Sequence, residues 1–371
     1  MSIAFRNLST LIVLGVIISL FGNLLLSIFS APGSLITAIF VSRDLLILLP
    51  ILISLSLLKF NIINQITILW LLIAIVFSIS LVFLNDILAS AFIWKSRSLF
   101  ALPFIILLFR WPCLISPRKV ILIMKTFIVL CFIEAVFKIT GLGAFYHDLI
   151  NLNQYLDAKG TQVGFGYGLF GMTRLLSPMF QPSLGGVIIG AGAILFWRER
   201  MYLWATTSLV LLTMTVSKTG LLIVISSVFG LIPLPISYFG LLFLPYAMAQ
   251  TLGSYDLPHI SSILYHFAGY FEGYKHFFEP MGVGLTGTVV SIEGRQVGAE
   301  SGLGTLLAAY GIYGIPILII AMLSSKNQFM WLFLISFIFT EITLNLYVGA
   351  IFAFISNGLS KERNDFKLSY Q

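Results

Sequence analysis

Three side chains carry most of the chemistry this chain could perform. Arg295 and Glu300 lie five residues apart in the stretch RQVGAESGLGTLLAAYGIYG (295–314), a polar run that passes directly into a small-residue helix. Arg174 lies in a second polar stretch. The arginine guanidinium stays charged beside lipid, and its fixed fork matches phosphate oxygens. A carboxylate at a helix mouth can have its pKa raised by partial desolvation toward that of a useful general base. Glu300 fits that role, and its alternative is a helix N-terminal carboxylate favoured by the macrodipole. Charges at the lip of a transmembrane helix are costly to place there unless they are used.

The elements that must position these residues are membrane helices. Of 371 residues, 59% are hydrophobic and 9% charged, with a mean hydropathy of +1.03. Apolar runs of about 20 residues recur, each long enough to cross ~30 Å of hydrocarbon as a helix. The alternating ~10-residue segments of a membrane β-barrel are absent. The expected fold class is therefore all-α, a polytopic transmembrane bundle forming one integral membrane domain over residues 1–371. The first apolar run follows a short polar start without an evident cleavage site and reads as a retained helix. Cys113 and Cys131 suggest neither a disulfide framework nor a metal site. The net charge of +7 is not a nucleic-acid signal, because most basic residues sit at span ends.

Expected spans are 8–29, 35–58, 64–84, 97–111, 120–139, 181–198, 201–217, 219–234, 236–252 and 301–323. The segment 328–358 reads as one long span or as two broken near Glu341. With the N-terminus in the cytoplasm, the Lys and Arg of short loops divide twelve to five in favour of the cytoplasmic side. The basic tail from Lys361 to Lys367 then asks for an even number of passes, so about 12 spans are expected, with 11 as the alternative.

Two long connections, 140–180 and 253–300, fall outside. They hold all four histidines, seven of the fourteen acids, and Arg174 and Arg295. Residues 258–279 read as an interfacial amphipathic helix, ended by Pro280. The glycine-rich turn 280–287 follows, where backbone can approach a ligand closely. Ordinary wet loops are the plain alternative. Tyr167 and Tyr270 could stack on sugar faces or belong to the interfacial aromatic belt.

The spacings carry a resemblance. Arg174 and Gly185 form Arg-x10-Gly, and Arg295 and Gly311 form Arg-x15-Gly, each in its own long loop. These patterns resemble the two large periplasmic loops of Wzy-type O-antigen polymerases. SPMFQPSLGG (177–186), TVSKTGLL (215–222), FEGYKHFFEPMGVGLTG (271–287) and ESGLGTLLAAYGIYG (300–314) are similar, in order, to segments of the wider O-antigen ligase/polymerase family. The resemblance covers residues ~174 to ~314. Lys218 stands where that family has arginine, which keeps the charge and loses the bidentate fork. Glu300-Ser301 stands where ligases carry His-Asn, which favours polymerase over ligase.

The resemblance implies a GT-C-like membrane glycosyltransferase in a bacterial inner membrane, its active site facing the periplasm. It implies an undecaprenyl-diphosphate-linked oligosaccharide as substrate, polymerised with loss of undecaprenyl diphosphate, by inversion and without metal or other cofactor. A flippase and a chain-length regulator of the same pathway are the implied partners. Arg174 and Arg295 would then clamp the diphosphate, with Lys218 as a third cation and Glu300 as base; anchoring of lipid headgroups is the alternative for the cations. His266 and His276 would be sugar contacts or solvated loop residues. An O-antigen ligase is the alternative within the family, and a flippase or transporter the alternative from another class. The latter predicts several in-span charges and internal repeats; the in-span charges are Arg43, Asp44, Glu134 and Glu341, and no repeat is visible. The orientation has a direct check. Asp157→Cys and Glu293→Cys should react with a membrane-impermeant maleimide in spheroplasts and Lys361→Cys should not; the opposite pattern would reverse the topology.

Overall fold

The computed structural model describes residues 3–54, 65–70, 101–111, 115–159, 173–228, 289–292, 295–298, 314–324, 328–339 and 345–359, with a few isolated residues besides. Apolar helices dominate. They are α1 (Ile3–Ile28), α2 (Gly33–Ser54), α3 (Ala101–Phe109), α4 (Pro117–Ile139), α5 (Gly143–Leu149), α6 (Leu152–Lys159), α7 (Pro182–Arg198), α8 (Tyr202–Thr215), α9 (Lys218–Val228), α10 (Ile315–Ser324), α11 (Gln328–Phe339) and α12 (Leu346–Ser356). Among the described residues, Arg6–Ile28, Gly33–Ile53 and Pro117–Ile139 are long and apolar enough to cross a membrane; five further apolar helices are shorter. A helix is the form that satisfies every backbone N–H and C=O within one apolar segment. Helices α11 and α12 lie on either side of Glu341, which is itself outside the described residues.

One short antiparallel hairpin interrupts the helical pattern. Strands β1 (Val289–Ile292) and β2 (Arg295–Gly298) pair with Ile292 opposite Arg295 and Val289 opposite Gly298. By sequence this stretch reads as a polar run leading into a helix, and the structure pairs it as two strands. Val-Val-Ser-Ile, three of its four residues β-branched, and the Glu-Gly that follows it in sequence are hairpin signals.

The chain divides into two compact units. One comprises Met1–Leu57, Trp111–Val228 and Ala350–Gln371; the other comprises Leu58–Arg110 and Phe229–Gly349. In the second unit α3 packs against α10, and the Phe109 and Phe333 rings lie 6.2 Å apart.

In the first unit α1 packs along α2, and α7 packs along both α8 and α9. The connection 140–180 is more than a wet loop over its described part. Helices α5 and α6 bury Tyr146, Leu152, Tyr155 and Leu156 in a cluster with Leu24, Leu26 and Ile36 of the first two helices and Phe180. Polar side chains of α1 fasten them: Ser27 Oγ donates to the Ile150 carbonyl, and Asn23 Nδ2 donates to the Met179 carbonyl. Tyr155 donates to Asn23 Oδ1 at 2.7 Å. Burial of its ring raises the Tyr155 pKa above the usual range, which keeps the phenol a donor. The charges on α2 are neutralised locally, since Arg43 meets Asp44 at 2.7 Å. Arg43 also lies 4.9 Å from the centre of the Phe40 ring, as a cation–π pair requires.

Small residues set the α7–α9 contact. Gly186 and Gly190 lie one turn apart on α7, and Gly220 of α9 faces both. A Cβ on Gly220 would sit 2.5 Å from the Gly186 carbonyl oxygen, and one on Gly190 2.8 Å from that of Gly220. Close backbone approach through small residues is the usual means of helix association where lipid removes the hydrophobic drive. Gly220→Val should therefore destabilise the first unit by about 1–3 kcal/mol, read as a lowered thermal midpoint of the purified protein in detergent. An unchanged midpoint would show that α9 does not approach α7 in this way.

Candidate functional site

The sequence-predicted residues that lie in the first unit converge on the corner between α8 and α9. Helix α8 ends at Thr215, and Val216 follows with φ of 52°, a left-handed conformation that a β-branched residue adopts only when its surroundings impose it. Ser217 then caps α9: its Oγ accepts from the Gly220 amide at 3.2 Å and donates to the Ser183 carbonyl of α7 at 2.9 Å. Thr215 Oγ1 accepts from the Ser217 amide at 3.2 Å. Lys218 is exposed at the first position of α9.

Arg174 closes this corner. Its Nε donates to the Thr215 carbonyl at 2.8 Å and its Nη2 to the Val216 carbonyl at 3.3 Å. The Leu175 amide donates to the Met214 carbonyl at 3.0 Å. The last carbonyls of a helix lack intrahelical partners and carry the negative end of the dipole, so a guanidinium is well matched to them. Burial pulls the Arg174 pKa down from its ordinary value, yet a guanidinium in a protein stays charged. Two of its five N–H groups are committed to helix carbonyls.

The Arg-x10-Gly spacing acquires a physical reason here. Residues 177–180 form a tight turn with Ser177 at φ 63° and Phe180 at φ 53°, and the turn folds back on the start of α7. A Cβ on Gly185 would collide with the Ser177 side chain, and one on Gly186 with Ser217 and Thr215. Glycine at both positions lets the Arg174 turn and the α8–α9 corner close on the same end of α7.

Two residues that the sequence reading did not assign to the site hold the turn from the other side. Glu134 and Lys138 lie one turn apart near the end of α4 and form a buried ion pair of 2.9 Å, their side chains 3% and 1% exposed. The Glu134 carboxylate also accepts from the Leu176 amide at 2.7 Å and the Ser177 amide at 2.9 Å. Lys138 Nζ donates to the Arg174 carbonyl. By sequence Glu134 reads only as one of several in-span charges. The available signal was an acid and a base at i,i+4 inside an apolar helix. Nearby, burial and then the Lys138 charge lower the pKa of His147 below 6.5, against the opposing pull of Asp148.

The remaining candidates lie elsewhere in the chain. Arg295 opens β2 in the second unit. Glu300, His266, His276 and Gly311 lie outside the described residues, as do Tyr167, Tyr270 and the segment 253–287. Arg174, Lys218 and Gly185 are thus brought together with the TVSKTG segment. No family model, curated protein or solved structure matches the chain.

The ion pair makes a clear stability prediction. Removing one partner strands the other's charge in an apolar surrounding, whereas replacing both by apolar groups does not. Glu134→Leu or Lys138→Met alone should cost about 3–5 kcal/mol, and the double replacement should recover most of that loss. Thermal melts of the three purified variants measure this, and equal losses in singles and double would contradict it.

Proposed function

We propose that this chain polymerises lipid-linked glycan repeat units in the manner of a Wzy-type polymerase of the O-antigen ligase/polymerase family. The substrate would be an oligosaccharide on undecaprenyl diphosphate, held at the outer face of a bacterial inner membrane. The observation that carries the reading is the contact between two segments resembling that family, 174–186 and 215–222. Arg174 of the first donates to the Thr215 and Val216 carbonyls of the second, and Ser217 donates to Ser183. Segments whose bonded residues lie 41 and 42 positions apart, and which carry cations of the right type, share one corner next to apolar helices.

The chemistry would proceed as a displacement. A hydroxyl oxygen of the incoming unit attacks the anomeric carbon of the growing glycan. The bond from that carbon to the diphosphate oxygen breaks, and undecaprenyl diphosphate leaves with the electron pair. Arg174 would neutralise developing charge on the leaving diphosphate with its guanidinium, helped by Lys218 and by Arg295 from the second loop. Preorganised cations beside a developing anion are worth most where water is excluded. Glu300 would take the hydroxyl proton.

A test follows in a strain lacking the chromosomal copy. Arg295→Ala and Arg174→Lys should each reduce polymer formation by about a hundredfold or more, leaving a single-repeat product on gels of the glycan ladder. A full ladder from both variants, at normal protein level, would overturn the reading. Accumulation of long chains on the carrier lipid would instead indicate a ligase.

A further inference from the structure

We propose that Glu134 and Lys138 are positioning residues for the Arg174 site, acting through the backbone of residues 174–177. The inference rests on the reading above that Arg174 meets the leaving diphosphate. The pair does more than neutralise itself. Glu134 meets only donors on the turn, the Leu176 and Ser177 amides. Lys138 meets only an acceptor, the Arg174 carbonyl. Helix α4 therefore acts as a ruler laid against the turn, matching its polarity: acceptor to amides, donor to carbonyl. The carbonyl that Lys138 holds belongs to Arg174 itself. With that carbonyl fixed, the departure point of the guanidinium is fixed too, and Leu175 is held to Met214 on the opposite side.

The ruler also sustains the strained turn. Ser177 adopts φ 63° while its amide is bound by Glu134, and its side chain lies where Gly185 makes room. A left-handed serine needs such over-determination to persist. The chain from α4 to α9 is continuous in hydrogen bonds: Glu134 to the 176–177 amides, Lys138 to Arg174, Arg174 to Thr215 and Val216, and Thr215 to Ser217 at the start of Lys218's helix. The backbone positions of Arg174 and Lys218, the two candidate cations in the first unit, are set by it.

Polarity provides the decisive variant. The swap Glu134→Lys with Lys138→Glu keeps the ion pair but presents a donor to the 176–177 amides and an acceptor to the 174 carbonyl. Lys138→Arg keeps both partners. Hydrogen exchange of the full purified chain, followed on peptides covering 174–183, should show protection lost by about tenfold or more in the swap and kept in Lys138→Arg. The double variant Glu134→Leu with Lys138→Met serves as a folded counterpart should the swap not assemble. It should keep its melting midpoint yet lose the same protection. In the ladder assay the swap should slow polymer growth by about a hundredfold, the cost of misplacing a group by about 1 Å, and Lys138→Arg should grow chains at a rate within about threefold of the parent. Unchanged protection of 174–183 in the swap and in the double variant would overturn the proposal, as would equal behaviour of the swap and Lys138→Arg. The exchange measurement needs no substrate. A full ladder from Arg295→Ala and Arg174→Lys would remove the polymerase reading while leaving that measurement decisive for the ruler.

Discussion

A carboxylate inside an apolar helix has to be satisfied completely or it unfolds its surroundings. Glu134 meets this demand with one ammonium and two backbone amides, so both its oxygens carry partners. The amides come from residues 42 and 43 positions further on, which makes the demand of one side chain a constraint on tertiary structure. A buried ion pair adds little net stability over apolar side chains of like size. What it adds here is direction, because an amide and a carbonyl cannot exchange places against it.

The other side of the turn is governed by a helix end. Thr215 and Val216 present carbonyls that α8 cannot satisfy internally, and Arg174 supplies the donors. Ser217 then satisfies α9 and reaches α7. Three helix termini and one turn thus meet with little space between them, and Gly185, Gly186 and Gly220 are where that space runs out. Backbone strain at Ser177, Phe180 and Val216 collects in the same corner. Strain of about 1–3 kcal/mol per residue persists where surrounding contacts over-determine the conformation, and these contacts do so.

Much of the helical framework was legible because membrane helices announce themselves through length and apolarity alone. The span read at 181–198 coincides with Pro182–Arg198, where proline at the first turn marks the start. Glycine spacing after Arg174 was legible as a pattern, but its cause was not, since Gly185 answers to Ser177 and Gly186 to Ser217 across the fold. Glu134 was visible and its role was hidden. Its partners on the turn are backbone amides, which every residue but proline possesses and which leave no trace in composition. The packing of α5 and α6 was equally hidden, because the groups that hold them, Asn23 and Ser27, sit more than a hundred residues earlier in what reads as an ordinary apolar span. The β1–β2 hairpin escaped notice because Arg295 was read for its charge, while Val289–Ile292 before it carried the strand signal.

The i,i+4 spacing of Glu134 and Lys138 bears on how the chain is made. When α4 leaves the ribosome and enters the bilayer, residues 174–177 have not yet been synthesised. A lone carboxylate or ammonium would then face the full cost of insertion. Opposite charges one turn apart can bind each other within the helix, so the Glu134–Lys138 pair enters the membrane without net charge. The Leu176 and Ser177 amides and the Arg174 carbonyl arrive later and complete a pair that already exists. The same two side chains thus serve first as an entry permit for a helix and afterwards as the template on which a later part of the chain is shaped.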